Sequence, residues 1–406
     1  MPDLDTSVIV VLNGIPFEGW KAIQVTQSFD QATGEGTVRL SPQPGNPLPV
    51  RLGDTCVILC AGEPVMTGHV HRVWGEHDTP SHEIQAQIRD KTQDAIDSTI
   101  GPDVDIDPPV TLPDVMRRTL GKMGLGHIGV IDRVGTLEPY KQGEKVSGAI
   151  DDRGHSFMEQ WARKRECCLT TDGKGNYVIA QNKGERLGGA YIHFGLPDDP
   201  LNNCTKSQFG IEDFQRHNAV ATAGQKSPND KNFWESREKS EPLGQAAPMS
   251  SRYGVAHDRS VRPERRRHQR GGRSHQGGSP RESSKWRSNT MRAKSNEYVA
   301  TVAGFRAPGG ALWWPGFVVP VYDYWWNLAT DLFLKEVAFS KDWSKGAVTQ
   351  LKFTLEDGYR PQAGRSGGYD RTGGSGLPGD PGDVHEPVSP ADLGLVKPDT
   401  EVDVDE

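Results

Sequence analysis

Between Ser7 and Asp97 the chain carries five or six short β-strands in close succession, ending at the charged run Arg89-Asp90-Lys91-Thr92-Gln93-Asp94. Val8, Ile9, Val10, Val11 and Leu12 form an apolar run closed by Asn13-Gly14, a pair that tolerates positive φ and joins hairpin strands. Trp20, Ala22 and Gln24 alternate with Ile23 and Val25, and Thr37-Val38-Arg39-Leu40 repeats the alternation. Cys56 to Cys60 turns through Ala61-Gly62-Glu63-Pro64 into Val65 to Val70, and Glu83 to Ile88 alternates with period two. Strands that each bury one face curl into a small barrel or sandwich. No catalytic cluster stands among them, so the module is suited to pairing its edges and faces with other protein.

At 406 residues the chain has room for two to four domains. Its hydrophobic fraction of 34% and mean hydropathy of -0.63 are low for one compact enzyme, so part of it is expected to lie outside a packed core. There is no apolar stretch of about 18 residues, and Met1-Pro2-Asp3-Leu4-Asp5 is acidic; neither a membrane span nor a signal peptide is expected, and synthesis is expected in a cytoplasm. Cys56, Cys60, Cys167, Cys168 and Cys204 form no CxxC pair and read as reduced, buried thiols. The vicinal Cys167-Cys168 leaves a redox pair as the alternative.

Charge is uneven along the chain. Residues 361–406 hold ten Asp/Glu against three Lys/Arg, a net of -7 that equals the formal charge of the whole chain, so the body is near neutral. The same segment is rich in Gly, Pro and Ser, a composition that buries too little apolar surface to offset chain entropy. This predicts a flexible acidic tail, either docking Leu393, Leu395 and Val396 on a partner or solvated without one.

After residue 97 the period changes. Thr111 with Asp114 reads as an N-cap and its N3 acid, opening a helix whose Leu112, Val115, Met116 and Leu120 share a face before Gly121 and Gly124. Ser156 with Glu159 reads as a second capping box, starting a helix with Phe157 and Trp161. A hairpin follows, Cys168 to Thr171 and Tyr177 to Ala180, joined by Asp172-Gly173-Lys174-Gly175-Asn176. Its Gly-x-Gly lacks the strand-to-helix setting of a phosphate loop. Residues 98–185 are thus a small α/β domain.

A second strand-rich module is split in sequence, with Asn218 to Gln225 before an insertion and Asn296 to Leu355 after it. Trp313, Trp314, Tyr322, Tyr324, Trp325 and Trp326 fall within fourteen residues. Such a cluster serves as a stacking surface for sugars or bases, as core, or as a protein interface, and the last two fit Trp best.

The ordered series Leu12-Asn13-Gly14-x-x-Phe17-x-Gly19-Trp20, Gly62 with Thr67-Gly68, Arg89-Asp90-Lys91-Thr92, Val220 to Gln225 and Gly310-Ala311-Leu312-Trp313-x-Pro315-Gly316 resembles the baseplate hub protein of Mu-like contractile-tailed bacteriophages. The resemblance spans most of residues 7–360 and leaves the tail outside. It implies a homotrimer whose two small barrel domains per chain build a pseudo-sixfold ring around an axial passage. That ring would join the sixfold tail tube to the threefold central spike. It further implies a place in the virion tail baseplate. Its partners would be the central spike, the tail tube or tube-initiator protein and the tape-measure protein, with DNA contacted only transiently if at all.

One stretch departs from that family. Its members carry an amphipathic helix after an Arg-Pro pair, whereas here Arg262-Pro263 is followed by Glu264-Arg265-Arg266-Arg267-His268-Gln269-Arg270. Residues 259–294 hold twelve Arg/Lys against two Glu and lack Leu, Ile and Phe. Three readings stand open: a basic loop touching DNA or phosphate through Arg265, Arg266, Arg267 and Arg270, a solvated loop without a partner, or an out-of-frame stretch of the gene.

Enzyme readings find little support. His69 and His71 are spaced i, i+2 on a strand but lack a third ligand at a recognisable spacing. Glu138 with Tyr140, or Asp151 with Asp152, could be cast as the acid and base of a cell-wall hydrolase, yet no hydrolase signature, Gly-x-Ser-x-Gly elbow or Walker loop is present. The expectation is therefore a structural α+β protein, mainly β, without catalytic, cofactor or metal residues. It comprises a β-barrel-like ring domain (1–97), the α/β domain (98–185), a second β-barrel-like domain (186–226 and 296–360), a basic, partly disordered insertion (227–295) and the tail (361–406). Trp313, Trp314, Trp325 and Trp326 are its expected interface residues. The alternatives are a hub-associated peptidoglycan hydrolase and an Arg-rich nucleic-acid-binding tail protein.

Overall fold

The computed structural model describes residues 5–40, 49–78, 81–101, 104–135, 137–140, 146–148, 151–165, 167–213, 216–223, 253–270, 280–344 and 346–359. The acidic tail and much of the insertion lie outside them. The chain forms two compact units, one of Met1–Phe209 with Tyr298–Glu356, the other of Gly210–Glu297 with Asp357–Glu406.

The first unit begins with β1 (Val8–Leu12), β2 (Ile15–Phe17), β3 (Trp20–Ser28), β4 (Glu35–Leu40), β5 (Thr55–Cys60), β6 (Glu63–Asp78), β7 (Ser81–Asp90) and the helix α1 (Gln93–Asp97). Its middle holds β8 (Asp105–Ile106), α2 (Leu112–Lys122), β9 (Val130–Asp132), β10 (Val146–Ser147), α3 (Gly154–Lys164), β11 (Cys168–Thr171) and β12 (Tyr177–Ala180), followed by β13 (Ile192–Phe194) and β14 (Cys204–Ile211). The second unit contributes β15 (Ala219–Ala223), β16 (Tyr253–His257), β17 (Arg266–Arg270) and α4 (Pro280–Ser295). The chain then supplies β18 (Asn296–Ala303), β19 (Val318–Asp323), β20 (Leu328–Asp342) and β21 (Gly346–Thr354).

The mainly β, α+β class expected from the sequence is the class found, with one difference of architecture. Strands from both ends of the chain join a single 13-stranded sheet of order β14-β18-β21-β20-β3-β4-β7-β6-β5-β1-β2, with β19 on β20 and β13 on β19. Among the described residues its hydrogen-bonded path ends at β14, β2 and, through β19, β13, and it shows no closed barrel ring. The junction is β3 against β20, antiparallel from Ala22↔Asp342 to Ser28↔Glu336. β3 pairs β4 along one edge, and its other edge is satisfied by a strand more than three hundred positions away in sequence.

Local rules explain several elements. The β1–β2 hairpin turns on Asn13 and Gly14 at φ 50° and 81°, the positive values that a two-residue turn of this type needs. In α2, Thr111 accepts from the Asp114 amide and donates to the Asp114 carboxylate, and Leu112, Val115, Met116 and Leu120 are all buried. Burying each such side chain contributes roughly 1.5–3 kcal/mol. These residues share one core with Phe157, Trp161, Leu169, Tyr177 and Ile179, which belong to α3 and the β11-β12-β9 sheet. The second capping box does not form: α3 starts at Gly154 behind Arg153, with no side-chain cap, so Ser156 lies inside the helix and Glu159 pairs with Arg163 at 2.6 Å.

A buried acid fastens this α/β region to the strands before it. Asp90, 1% exposed at the end of β7, accepts from the Gly34 amide (3.0 Å), the Thr67 amide (3.2 Å) and, at 3.5 Å, the Gln27 side chain. Gln27 also donates to the Val65 carbonyl at 2.6 Å, while the Thr67 hydroxyl donates to the Gly173 carbonyl at 2.9 Å. Burial pushes the Asp90 carboxyl above its ordinary value, against the pull of the amides that donate to it. Beside it, Gly68 packs so closely under β7 that a Cβ would sit 1.7 Å from the Arg89 carbonyl oxygen.

In the second unit β15 pairs antiparallel with β16 and parallel with β17. Val220, read from the sequence as part of the second β module, therefore lies in this separate three-stranded sheet. Part of the basic insertion is regular structure, with Arg266–Arg270 as β17 and Pro280–Ser295 as α4. The helix buries Ser284, Arg292, Ala293 and Ser295, and Ser284 donates to the Thr222 hydroxyl at 2.7 Å. Arg216 and Asp258 form a buried pair at 2.7 Å. Burial alone would raise Asp258, but Ser260 and Arg216 hold its carboxyl below the ordinary value. With few large apolar side chains buried among its described residues, this unit relies on polar contacts such as the Arg216–Asp258 pair and the Ser284–Thr222 hydrogen bond.

Two substitutions test the buried acid and its neighbour. Asp90→Ala strands the Gly34 and Thr67 amides and is expected to lower unfolding stability by about 3 kcal/mol in chemical denaturation. Gly68→Ala is expected to cost at least about 3 kcal/mol, or to abolish soluble expression, because the obstructing atom belongs to backbone.

Candidate interaction surfaces

The four tryptophans expected to share an interface do not form one surface. Trp313 is core, 1% exposed, with its amide bonded to the Phe305 carbonyl at 3.1 Å. Trp314 is half-buried and covers Gly173, where φ is +73° and a Cβ would meet the indole at 2.8 Å. Trp325 and Trp326 are 61% and 38% exposed. Sequence proximity joined residues that the strand geometry separates, because Trp313 enters the core before β19 and the other pair tops the β19–β20 turn.

That turn is built by Asp323. Its carboxylate, fully buried, accepts from the Trp325 amide (3.0 Å), the Trp326 amide (3.3 Å) and the Tyr298 hydroxyl (2.8 Å). Burial, and then the hydrogen bond to Asp323, push the Tyr298 hydroxyl far up, so it stays a donor. Asn327, at φ 48°, closes the turn with its amide on the Tyr324 carbonyl. The Trp326 indole donates to Ser207 at 3.2 Å and Tyr324 donates its amide to the Phe194 carbonyl at 2.9 Å. Beside them the His193 ring stacks on Tyr322 at 4.6 Å and bonds Asp199 at 2.8 Å. The result is a rigid aromatic knob of Tyr322, Tyr324, Trp325 and Trp326, all exposed on a fastened backbone.

A second apolar feature was not anticipated from the sequence. Val50, Leu52, Val73, Trp74 and Ile84 line a groove of about 640 Å³ beside the outer part of the β6–β7 hairpin, together with Arg51, Glu76 and His77. Leu52 is 68% exposed and Trp74 44% exposed. Its only sequence signal is an aromatic residue at the end of a strand that outruns its neighbours.

The basic residues are not convergent. Arg265 pairs with Asp213 at 3.2 Å and donates to the Asp213 carbonyl, and Arg262 lies 3.8 Å from the same carboxylate. Arg266 is exposed and donates to the Pro263 carbonyl at 3.3 Å, whereas Arg267 is half-buried. Burial, and then repulsion from Arg267, lower the Arg287 guanidinium. The Arg270 side chain lies outside the described residues.

The residues considered for catalysis are dispersed as well. A β-bulge between Val70 and Arg72 breaks the strand spacing on which a His69/His71 pair depended. Tyr140 is core and donates to the Trp161 carbonyl at 2.7 Å, away from any role beside the exposed Glu138. Burial pushes the Cys56 and Cys60 thiols up to about 12, leaving them unreactive. Among the described residues no group of three or more His, Cys, Asp or Glu could hold a metal, and no helix is long and apolar enough to cross a membrane.

The strands ending at Asp90 have a counterpart elsewhere. Residues 7–90 match the family model of the Mu phage baseplate assembly protein GpP-like, N-terminal. The resemblance to Mu-like baseplate hub proteins is thereby borne out over the part of the chain where the strands are densest. No curated protein matches the sequence. The fold extends the likeness to nearly the whole chain. The 43 kDa tail protein of prophage MuSo2 from Shewanella oneidensis is similar at TM-score 0.69 and 21% identity, over 87% of this chain and 99% of that one. The tail protein from Neisseria meningitidis MC58 is similar at 0.70 and 16%, again over 87% and 99%. A PdpA-VgrG complex from Francisella gives 0.53 and 7%, over 89% of this chain and 59% of that one. At these identities the shared property is the fold.

The knob yields a direct test of its support. Asp323→Ala should cost about 2 kcal/mol of local stability and speed hydrogen exchange at the Trp325 and Trp326 amides, read by mass spectrometry.

Proposed function

We propose that the protein is a structural component of a contractile phage-tail baseplate, a homotrimeric hub in the virion that adapts the sixfold tail tube to the threefold central spike around an axial passage. The observation that carries this reading is the match of residues 7–90 to a baseplate assembly family model, set within a fold shared over 87% of the chain with a Mu prophage tail protein. Physical features favour it. Among the described residues the sheet ends at β2, β13 and β14, strands whose outer edges could pair with another copy, and assembly would remove that aggregation hazard. Function in this reading is mechanical and not enzymatic. Its partners are the spike, the tube or tube initiator, and the tape-measure protein. Contact of Arg265, Arg266, Arg267 or Arg270 with DNA belongs to the same proposal, as a transient event during passage.

Light scattering on the full-length protein is expected to give three times the 44.6 kDa chain mass. A stable monomer at high concentration would overturn the hub reading, and clearing of a peptidoglycan zymogram that is lost on substituting one acidic residue would favour the hydrolase alternative.

A further inference from the structure

The knob and the groove belong to the same sheet but lie at its opposite ends, as the strand registers show. The aromatic turn sits where Asp323 faces Leu328, at the start of β20. The groove sits at the other end: Ile84 faces Leu40, Leu40 faces Trp20, and the neighbouring Ala22 faces Asp342, the last residue of β20. From Leu328 to Asp342 a strand rising about 3.3 Å per residue covers roughly 45 Å. One chain therefore cannot fill its own groove with its own knob. A second chain can.

Shape and charge agree with such an occupant. The knob is aromatic and its backbone is held by the Trp325 and Trp326 amides on Asp323, which Tyr298 anchors in turn, so little backbone entropy remains to be lost when it docks. The groove is concave and apolar, with Trp74 and Leu52 exposed. The groove lining also carries exposed Arg51 and Glu76, and Asp198 is exposed in the loop that carries Asp199 and reaches the knob through His193 and Tyr322, so an orientation that sets Asp198 against Arg51 and away from Glu76 fixes how the knob would enter.

Building on the trimeric reading above, we infer that the aromatic turn Tyr324-Trp325-Trp326 of one protomer seats in the groove of Val50, Leu52, Val73, Trp74 and Ile84 of the next. The contact is head-to-tail, with a different surface on each side. Such a contact either closes into a ring or propagates as a filament, and three copies around an axis close it.

Cysteine cross-linking on the full chain tests it. The variant carrying Trp325→Cys and Leu52→Cys changes two exposed side chains, so folding is preserved, and the native cysteines are buried or half-buried. After mild oxidation, non-reducing electrophoresis should show covalent dimers and trimers that both single variants lack. Trp325→Lys alone should weaken trimer formation at least tenfold in dilution light scattering, with an unchanged circular dichroism spectrum. A trimer that forms without these cross-links, or that tolerates Trp325→Lys, overturns the knob-and-groove contact and leaves the hub reading standing. A monomer at every concentration overturns both.

Discussion

The first unit depends on one buried carboxylate. Asp90 has no solvent to ionise into, yet it is surrounded by donors from Gly34, Thr67 and Gln27, which belong to three different stretches of chain. Because an amide buried without an acceptor costs free energy, Asp90 adds to the strand ladders a fixed point shared by those three stretches. Thr67 extends the constraint by donating its hydroxyl to Gly173, and Thr170 donates to the Ser28 carbonyl at 2.9 Å. The β strands and the α/β hairpin are thereby locked in one register. Gly68, with β7 backbone where a side chain would be, permits the close approach on which this depends.

The two units use different means of cohesion. The first has a deep apolar interior, in which Val25, Ile58, Phe333 and Leu334 are fully buried. Among the described residues the second has Val220, Val261 and Ala293 as its buried apolar residues, together with the Arg216–Asp258 pair and a serine-to-threonine hydrogen bond to α4. Replacing an apolar helix face by Ser and Arg does not prevent a helix from packing, provided each buried polar group meets a partner. It makes packing depend on those partners.

Much of this could be read from residues in advance, wherever the controlling interactions are local. Asn13-Gly14, the Thr111 cap, the apolar face of α2 and the Cys168–Ala180 hairpin each depend on neighbours within a few positions, and each stands where periodicity and turn chemistry put it. What escaped depends on distant contacts. Nothing around Ala22 or Lys341 announces that β3 and β20 pair and so join strands of the two expected β-barrel-like modules in one hydrogen-bonded sheet. Ser156 looked like a cap because its spacing to Glu159 is right, but the helix begins earlier. Composition placed four tryptophans together, whereas burial divides them: Trp313 points into the core and Trp325 into solvent. The Arg-rich run looked unstructured because it lacks large apolar residues, yet Arg266–Arg270 completes a sheet begun by Ala219–Ala223.

β20 has a property that none of its neighbours share. Its first half pairs with β19, its second half with β3, and the change of partner falls at the irregularity between Leu334 and Glu336, while β21 accompanies it on the other side from Phe333 onward. It is thus a continuous rib from one end of the sheet to the other, crossing no loop. A pull applied along it would load many inter-strand hydrogen bonds side by side in shear, instead of peeling them one after another. In the proposed baseplate role, such a rib would carry tension across the subunit without unravelling it.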